Sequence, residues 1–122
     1  MNTLRLTEIE IFHAAFESSP RRVARLSSAC RVEEALEQAY KGTQNVDSSW
    51  VESKGQLGVR IEPDPTVATG CRSTSTGDYA RVVDVQGLET FWRCCFIGWR
   101  PIQDRRDIDL VGMPAIAAGH SV

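Results

Sequence analysis

The sequence predicts an α+β fold, in which a mostly antiparallel sheet of four to six strands carries one main helix packed on one face. Polar and apolar residues alternate in residues 4–12, 22–26 and 57–62, a pattern typical of strands with one buried face. In residues 31–41 the apolar residues instead recur every three or four positions, which is typical of an amphipathic helix. Residues 79–97 hold two apolar segments around a glycine-containing turn and predict a hairpin.

The size and charge of the chain indicate one ordinary globular domain. With 122 residues and 42% hydrophobic content, the chain suits a single core, which we assign to residues 1–102. Residues 103–122 lose the strand pattern, so we expect a C-terminal tail that is mobile or binds a partner. The net charge of −2 gives no general attraction to nucleic acid or to anionic lipid.

The N-terminal segment and the absence of a long apolar run predict a cytoplasmic location. Residues 1–5 lack the basic region and apolar segment of a signal peptide, and no apolar run approaches the ~20 residues that span a bilayer. We therefore expect the four cysteines to be free thiols.

Three local features refine the predicted elements. A slip in the alternation at Thr7-Glu8 predicts a bulge in the first strand, although a helix running to Phe16 is the competing interpretation. Ser28 is placed to cap the helix, and Gly42 is placed to end it. The second hairpin arm, residues 89–97, is apolar on both faces and therefore predicts a central strand that is covered on both sides. If one of its faces is not covered, that face is a partner-binding patch.

The predicted core combines the apolar positions of these elements. Its members are Leu26, Val32, Leu36, Tyr40, Trp50, Val59, Val82, Trp92, Phe96 and Trp99.

The sequence indicates neither a metal site nor a catalytic site, and we predict no cofactor. The cysteines and histidines show no C-x-x-C or H-x-x-x-H spacing, and the adjacent Cys94 and Cys95 point to opposite faces of a strand. Cys71 with His13 as its base is the best candidate for thiol catalysis, but neither residue lies in a nucleophile motif. A thiol-dependent enzyme is therefore the least favoured hypothesis.

Residues 72–78, with the sequence Arg-Ser-Thr-Ser-Thr-Gly-Asp, form the most informative segment. Glycine and aspartate favour a turn, so the segment predicts a corner that precedes the hairpin. Its hydroxyl groups and Arg72 can cradle a phosphate. The alternative, which we favour, is that the hydroxyl groups satisfy backbone groups within the corner.

Two separated motifs resemble a group of short, largely uncharacterised proteins carried by phages, plasmids and integrated elements of prokaryotes. These proteins share a helix, a T-N-x-x-D-x-x-W loop, an R-S-T-S-x-G-D corner and a closing G-F-x-x-I strand. Residues 43–50 match the loop, residues 72–78 match the corner and residues 98–102 match the closing strand, with Gln44, Tyr79 and Trp99 as departures. The corner is also similar to that of YodL-like domains, which occur in accessory proteins linked to anti-restriction genes.

The resemblance implies the context of a mobile element in a bacterial host cell. Together with the small acidic domain and the absence of a catalytic constellation, it leads us to expect a non-enzymatic accessory protein that binds and inhibits a host defence complex, of restriction or CRISPR type. Acidic residues could engage a basic channel of such a complex or mimic DNA phosphates. The alternative is a small nucleic-acid-binding module that uses the Arg72 corner and the hairpin. The predicted partner-binding residues are Glu33, Glu34, Glu37, Asp47, Arg72, Ser73, Thr74, Arg93 and Arg100.

Overall fold

The computed structural model describes residues 5–103, which form an α+β structure with a mostly antiparallel sheet. The predicted α+β class and antiparallel sheet are confirmed. The strands are β1 (Thr7–His13), β2 (Arg21–Ser28), β3 (Gly55–Gln56), β4 (Val59–Arg60), β5 (Glu62–Pro63), β6 (Tyr79–Val83), β7 (Glu89–Cys94) and β8 (Trp99–Pro101). The helices are α1 (Val32–Gly42), α2 (Trp50–Ser53) and a 3₁₀ turn at Pro65–Val67.

Six strands make one sheet in the order β5-β2-β1-β6-β7-β8, and every neighbouring pair is antiparallel. Strands β3 and β4 form a separate two-stranded hairpin. In the large sheet Phe12 pairs with Tyr79, which pairs with Arg93. This register places the β1–β2 loop, the residues before β6 and the β7–β8 turn at the same end of the sheet.

The main core is one buried cluster to which both strands and helices contribute. Strands β1 and β6 contribute Ile9, Ile11 and Val82, and the α1 stripe contributes Ala35, Leu36 and Ala39 to the same buried cluster. A second, smaller cluster contains Phe12, Tyr79 and Phe91. Most of the predicted core is buried or half-buried in these clusters, but Phe96 is 92% exposed, and its assignment to the core was wrong.

Strand β1 confirms the strand interpretation of the N-terminal segment, but the predicted bulge at Thr7-Glu8 was wrong. The register instead shifts between Ile11 and Phe12, where β2 carries the additional residue Val23. Ile9 and Ile11 lie in the main cluster and Phe12 in the second one, because successive side chains of a strand point to opposite faces.

Helix α1 matches the predicted helix within one residue at each end, but Ser28 does not cap it. Ser28 is the last residue of β2, and its hydroxyl binds Gln38 and the amide of Cys30 instead. The residue preceding α1 is Arg31, which makes no side-chain capping bond.

The single strand predicted for residues 57–62 was wrong, because this range holds the β3–β4 turn, β4 and the first residue of β5. Leu57 and Gly58 both have positive φ values, of 55° and 79°, and close the two-residue β3–β4 turn inside the predicted strand. The arm predicted for residues 89–97 likewise ends at Cys94, because residues 95–98 turn into β8. Strand β7 is one strand from the edge of the sheet, and its Arg93 is exposed.

Candidate binding site at the corner

The carboxylate of Asp78 is the centre of the corner that precedes β6. It is fully buried and accepts five hydrogen bonds, two of them from the Arg72 guanidinium at 2.8 Å. The others come from the amides of Ala14, Ala15 and Ser75 at 2.8–2.9 Å. Burial alone raises the pKa of Asp78, but the bonds to Arg72 and to these amides outweigh it and lower the pKa below its usual value. The side chain is therefore an ionised structural anchor.

Arg72 bridges the corner to the β1–β2 loop. Its Nε and Nη2 donate to the two carboxylate oxygens of Glu17 at 3.0 and 2.9 Å, and its guanidinium lies 4.9 Å from the centre of the Phe16 ring. Burial lowers the pKa of Arg72, but the bonds to Asp78 and Glu17 more than reverse that effect and raise it. The bond to Arg72 also holds the pKa of Glu17 below its usual value. Arg72 thus joins two carboxylates of the same chain.

Thr74 connects the corner to β1 and to the end of α1. Its hydroxyl lies 2.9 Å from Nε2 of His13 and 2.7 Å from the hydroxyl of Thr43, and its amide donates to the Thr43 carbonyl. The Thr43 hydroxyl also binds the carbonyl of Ala39 in α1 at 2.8 Å. All three residues, His13, Thr43 and Thr74, are almost completely buried. Thr74, a predicted partner-binding residue, is therefore buried, and its hydroxyl group makes hydrogen bonds inside the protein.

The loop that follows α1 holds the corner from the other side. The Asn45 side chain donates to the Cys71 carbonyl at 2.9 Å and accepts from the Trp50 amide at 2.8 Å. The amide of Asn45 donates to the Ser73 hydroxyl, and the indole of the buried Trp50 donates to the Arg72 carbonyl. The two segments that carry the family resemblance therefore bind each other directly.

Cys71 and His13, the pair considered for thiol catalysis, do meet in the structure. The Cys71 sulfur lies 3.5 Å from Nδ1 of His13, and the carboxylate of Asp78 lies 3.7 Å from Nε2. A proton on Nε2 faces the Thr74 oxygen and this carboxylate, so we assign that tautomer, in which Nδ1 accepts from the thiol.

The Cys71–His13 pair is electrically neutral. Burial raises the pKa of the Cys71 thiol, and it lowers the pKa of His13 to about 4 against the opposing effect of Asp78. The thiolate is the nucleophilic form of cysteine, and this environment disfavours it. The geometry therefore supports a hydrogen bond between these side chains and gives no activated nucleophile.

A groove of about 460 Å³ opens beside the corner, between α1 and the β7–β8 turn. Its lining residues are Glu37, Tyr40, Ser75, Thr76, Cys94, Cys95, Phe96, Gly98 and Trp99. We refer to it as the α1–β8 groove. Phe96 and Ile97, at the tip of the turn, are 92% and 80% exposed. Of the predicted partner-binding residues, Glu37 lines this groove, and Glu33 and Glu34 are exposed one turn earlier on α1.

The sheet face that carries Glu10 and Arg81 holds a ladder of ion pairs. The guanidinium nitrogens of Arg22 lie 2.9 Å from a carboxylate oxygen of Asp64 and 2.8 Å from one of Glu10. The guanidinium of Arg81 likewise pairs with the carboxylates of Glu10 and Glu89. Each of these arginines is therefore already neutralised by two carboxylates of the same chain.

The remaining predicted site residues are dispersed. Asp47 is exposed in the loop after α1, and Ser73 accepts a bond within the corner. Arg93 and Arg100 face each other across β7 and β8, both exposed, and Arg93 lies 5.4 Å from the Tyr79 ring centre. The structure thus brings together Arg72, Ser73 and Thr74 but places the acidic residues and the two arginines on other surfaces.

Sequence reasoning missed the corner's distant partners, Glu17, Thr43 and Asn45, and did not predict that His13 and Cys71 meet. Thr43 and Asn45 shared one signal, because both lie in residues 43–50, the loop singled out together with the corner in the sequence. Glu17 lies 55 residues from Arg72, and His13 lies 58 residues from Cys71, so only the fold brings these residues together.

Within residues 5–103, no three histidine, cysteine or acidic side chains converge as metal ligands do. None of the helices in that range is both long and apolar enough to cross a bilayer. No protein-family model, curated protein or solved structure matches the chain.

Proposed function

We propose that this chain is a non-enzymatic binding protein that acts for a mobile element by inhibiting a host defence complex of restriction or CRISPR type. In this proposal α1 covers one face of the sheet, and the partner binds at the end of the sheet beside the corner. The resemblance of residues 43–50 and 72–78 to mobile-element proteins motivates the choice of partner. The neutral Cys71–His13 pair supports a non-enzymatic role.

One observation carries the binding role: three large apolar side chains are exposed in loops at the same end of the sheet. Phe16 in the β1–β2 loop is 76% exposed, and Phe96 and Ile97 project from the β7–β8 turn. The corner joins the two loops, because the Gly77 amide binds the Cys94 carbonyl and a Cβ on Gly77 would lie 3.1 Å from that of Ala15. Exposed apolar patches of this kind are typical of protein-binding sites.

The corner gives this surface a rigid support. Arg72 contacts the Phe16 ring and binds both Glu17 and Asp78, so the β1–β2 loop is held by ion pairs. A preorganised loop loses little conformational entropy when a partner binds, which favours affinity. In this proposal the buried polar network of the corner holds the β1–β2 loop in the conformation that exposes Phe16 to the partner.

Capture from a defence-competent host tests this proposal. The tagged chain should retain subunits of a defence complex and restore plating of a restricted phage. Phe96→Ser should abolish both effects, whereas Leu88→Ser, which alters a 61% exposed residue in the β6–β7 turn at the opposite end of the sheet, should preserve them. Capture of no defence subunit, together with unchanged phage plating, would refute the proposal.

The second candidate function, binding of nucleic acid, is favoured by the cross-strand pair of Arg93 and Arg100. Two like charges directly opposite each other on neighbouring strands destabilise a sheet, and a phosphate between them relieves the repulsion. The neutralised Arg22 and Arg81 offer no comparable site. A gel shift that weakens with salt and is lost in Arg93→Ala/Arg100→Ala, but not in Arg25→Ala, would support this function. Absence of any shift at micromolar protein would remove it.

A further inference from the structure

The α1–β8 groove combines features that attract a cation. Tyr40, Phe96 and Trp99 line it with aromatic rings, whose faces attract guanidinium and ammonium groups. Glu37 adds a carboxylate to the same wall. The hydroxyl groups of Ser75 and Thr76 line the corner side and can accept hydrogen bonds.

The charge pattern of α1 strengthens this attraction. Glu33 and Glu34 precede Glu37 by four and three residues, so the three exposed carboxylates lie on one side of the helix. Their mutual repulsion destabilises the helix slightly, and a bound cation relieves it. The C-terminal end of α1 at Gly42 also carries the partial negative charge of the helix dipole.

The groove has the dimensions of a side-chain pocket. Its volume of about 460 Å³ lies within the range of small-ligand sites. The half-buried Tyr40 and Trp99 give it a partly apolar wall, and the exposed Phe96 stands at its rim. A long side chain that has an apolar stem and a cationic end matches this arrangement.

We infer that the α1–β8 groove binds an arginine of a basic segment on the partner protein, with the guanidinium between Glu37 and the aromatic rings. The inference rests on the proposed function, because it names the chemistry of the partner at one part of the same surface. It assigns to Glu33, Glu34 and Glu37 the role of drawing the basic segment to the groove, and to Phe96 the role of covering it.

A titration of the full chain with synthetic peptides tests this inference. The probe is a nonapeptide with an Arg-Leu-Arg centre flanked by glycine and serine, and its matched control carries Glu-Leu-Glu. In ¹H–¹⁵N spectra, the arginine peptide should shift the amide signals of Thr76 and Gly98, and the effect should weaken as salt is raised. The glutamate peptide should leave these signals unchanged.

Variants locate the binding. Glu37→Gln should lower the affinity for the arginine peptide by about fivefold, as expected for loss of one exposed charge pair. Phe96→Ser should lower this affinity by roughly tenfold or more. Glu52→Gln, an exposed acidic residue of α2 outside the groove, should have no effect.

The outcomes separate this inference from the proposed function. Equal binding of both peptides, or unchanged binding in Glu37→Gln and Phe96→Ser, would overturn the inference. If the arginine peptide fails to bind while capture of the defence complex still depends on Phe96, the inference alone fails. If capture itself fails, the proposed function fails whatever the peptide does.

Discussion

Asp78 and Arg72 form a two-pronged ion pair in which both hydrogen bonds measure 2.8 Å and the carboxylate is completely buried. A charge buried in this way is tolerated only when its partners replace the water that it loses. Arg72 supplies the countercharge, and three backbone amides supply the remaining donors. The conformation of the corner is thus determined by one carboxylate, whose removal has predictable consequences.

Asp78→Asn should destabilise the protein by about 3–5 kcal/mol, because an amide cannot accept every bond of the carboxylate and leaves Arg72 without its buried partner. Urea unfolding measures the change as a lower midpoint. Asp47→Asn, which alters an exposed aspartate in the loop after α1, should change stability by less than about 0.5 kcal/mol. Equal stability of the two variants would show that the corner does not depend on this ion pair.

The stability of the protein should fall as the pH drops from about 6.5 to about 4, because of His13. Its pKa is lowered to about 4 in the folded state, so across this range the unfolded chain binds a proton that the folded protein does not. The expected loss is on the order of 3 kcal/mol, from 1.36 kcal/mol for each pH unit between the two values. Below this range, protonation of Asp78, whose pKa is also lowered, removes further stability.

Urea unfolding at a series of pH values measures this dependence, and His13→Gln provides the comparison. The variant cannot gain the proton, so its stability should vary much less between pH 6.5 and 4, even if it is lower throughout. The same slope in both proteins would assign the pH dependence to other groups.

Leu57→Asn should stabilise the protein by about 1 kcal/mol. Leu57 has a φ of 55°, in the left-handed region that is strained for a leucine backbone. Its side chain is 60% exposed, so burial of the side chain does little to offset this strain. Asparagine adopts this conformation more readily and is preferred before glycine in such two-residue turns. Thermal unfolding should show a higher Tm.

Gly58→Ala is the matched variant in the same turn. No atom lies within 4 Å of the added methyl group, so the cost, about 1 kcal/mol, comes from the positive φ alone. A stabilising effect of this alanine, or a destabilising effect of Leu57→Asn, would contradict the strain assigned to the turn.

The sequence predicted the elements whose periodicity is long and uninterrupted. Helix α1 was placed within one residue of its bounds, β1 and β2 were recognised from their alternation, and β6 was recognised as an arm of the predicted hairpin. The preferred interpretation of the corner, that its hydroxyl groups satisfy backbone groups within it, holds for Ser75, whose hydroxyl donates to the Ser73 carbonyl. The hydroxyl groups of Ser73 and Thr74 instead bind residues outside the corner, namely Asn45, Thr43 and His13. These helices and strands were predictable because the spacing of apolar residues along a short segment determines which of its faces is buried.

Where the prediction failed, the determining interaction was distant or the pattern was misleading. Phe96 and Ile97 continue the apolar run of β7 into a turn, and only the following Gly98, with a φ of 72°, marks the change of direction. The contact of His13 with Thr74 depends on the pairing of β1 with β6, which no short motif specifies.

Gly42→Ala should destabilise the protein by about 1–2 kcal/mol, although alanine is normally the better helix residue by about 1 kcal/mol. A Cβ at this position would lie 2.5 Å from Cγ1 and 2.7 Å from Cδ1 of Ile61, which is only 2% exposed and has little room to move. Overpacking of this kind typically costs about 1–3 kcal/mol and should outweigh the gain in helix propensity. Adding Ile61→Val removes Cδ1 and should recover part of the loss in urea unfolding. If Gly42→Ala alone proves stabilising, the contact between α1 and Ile61 is looser than these distances indicate.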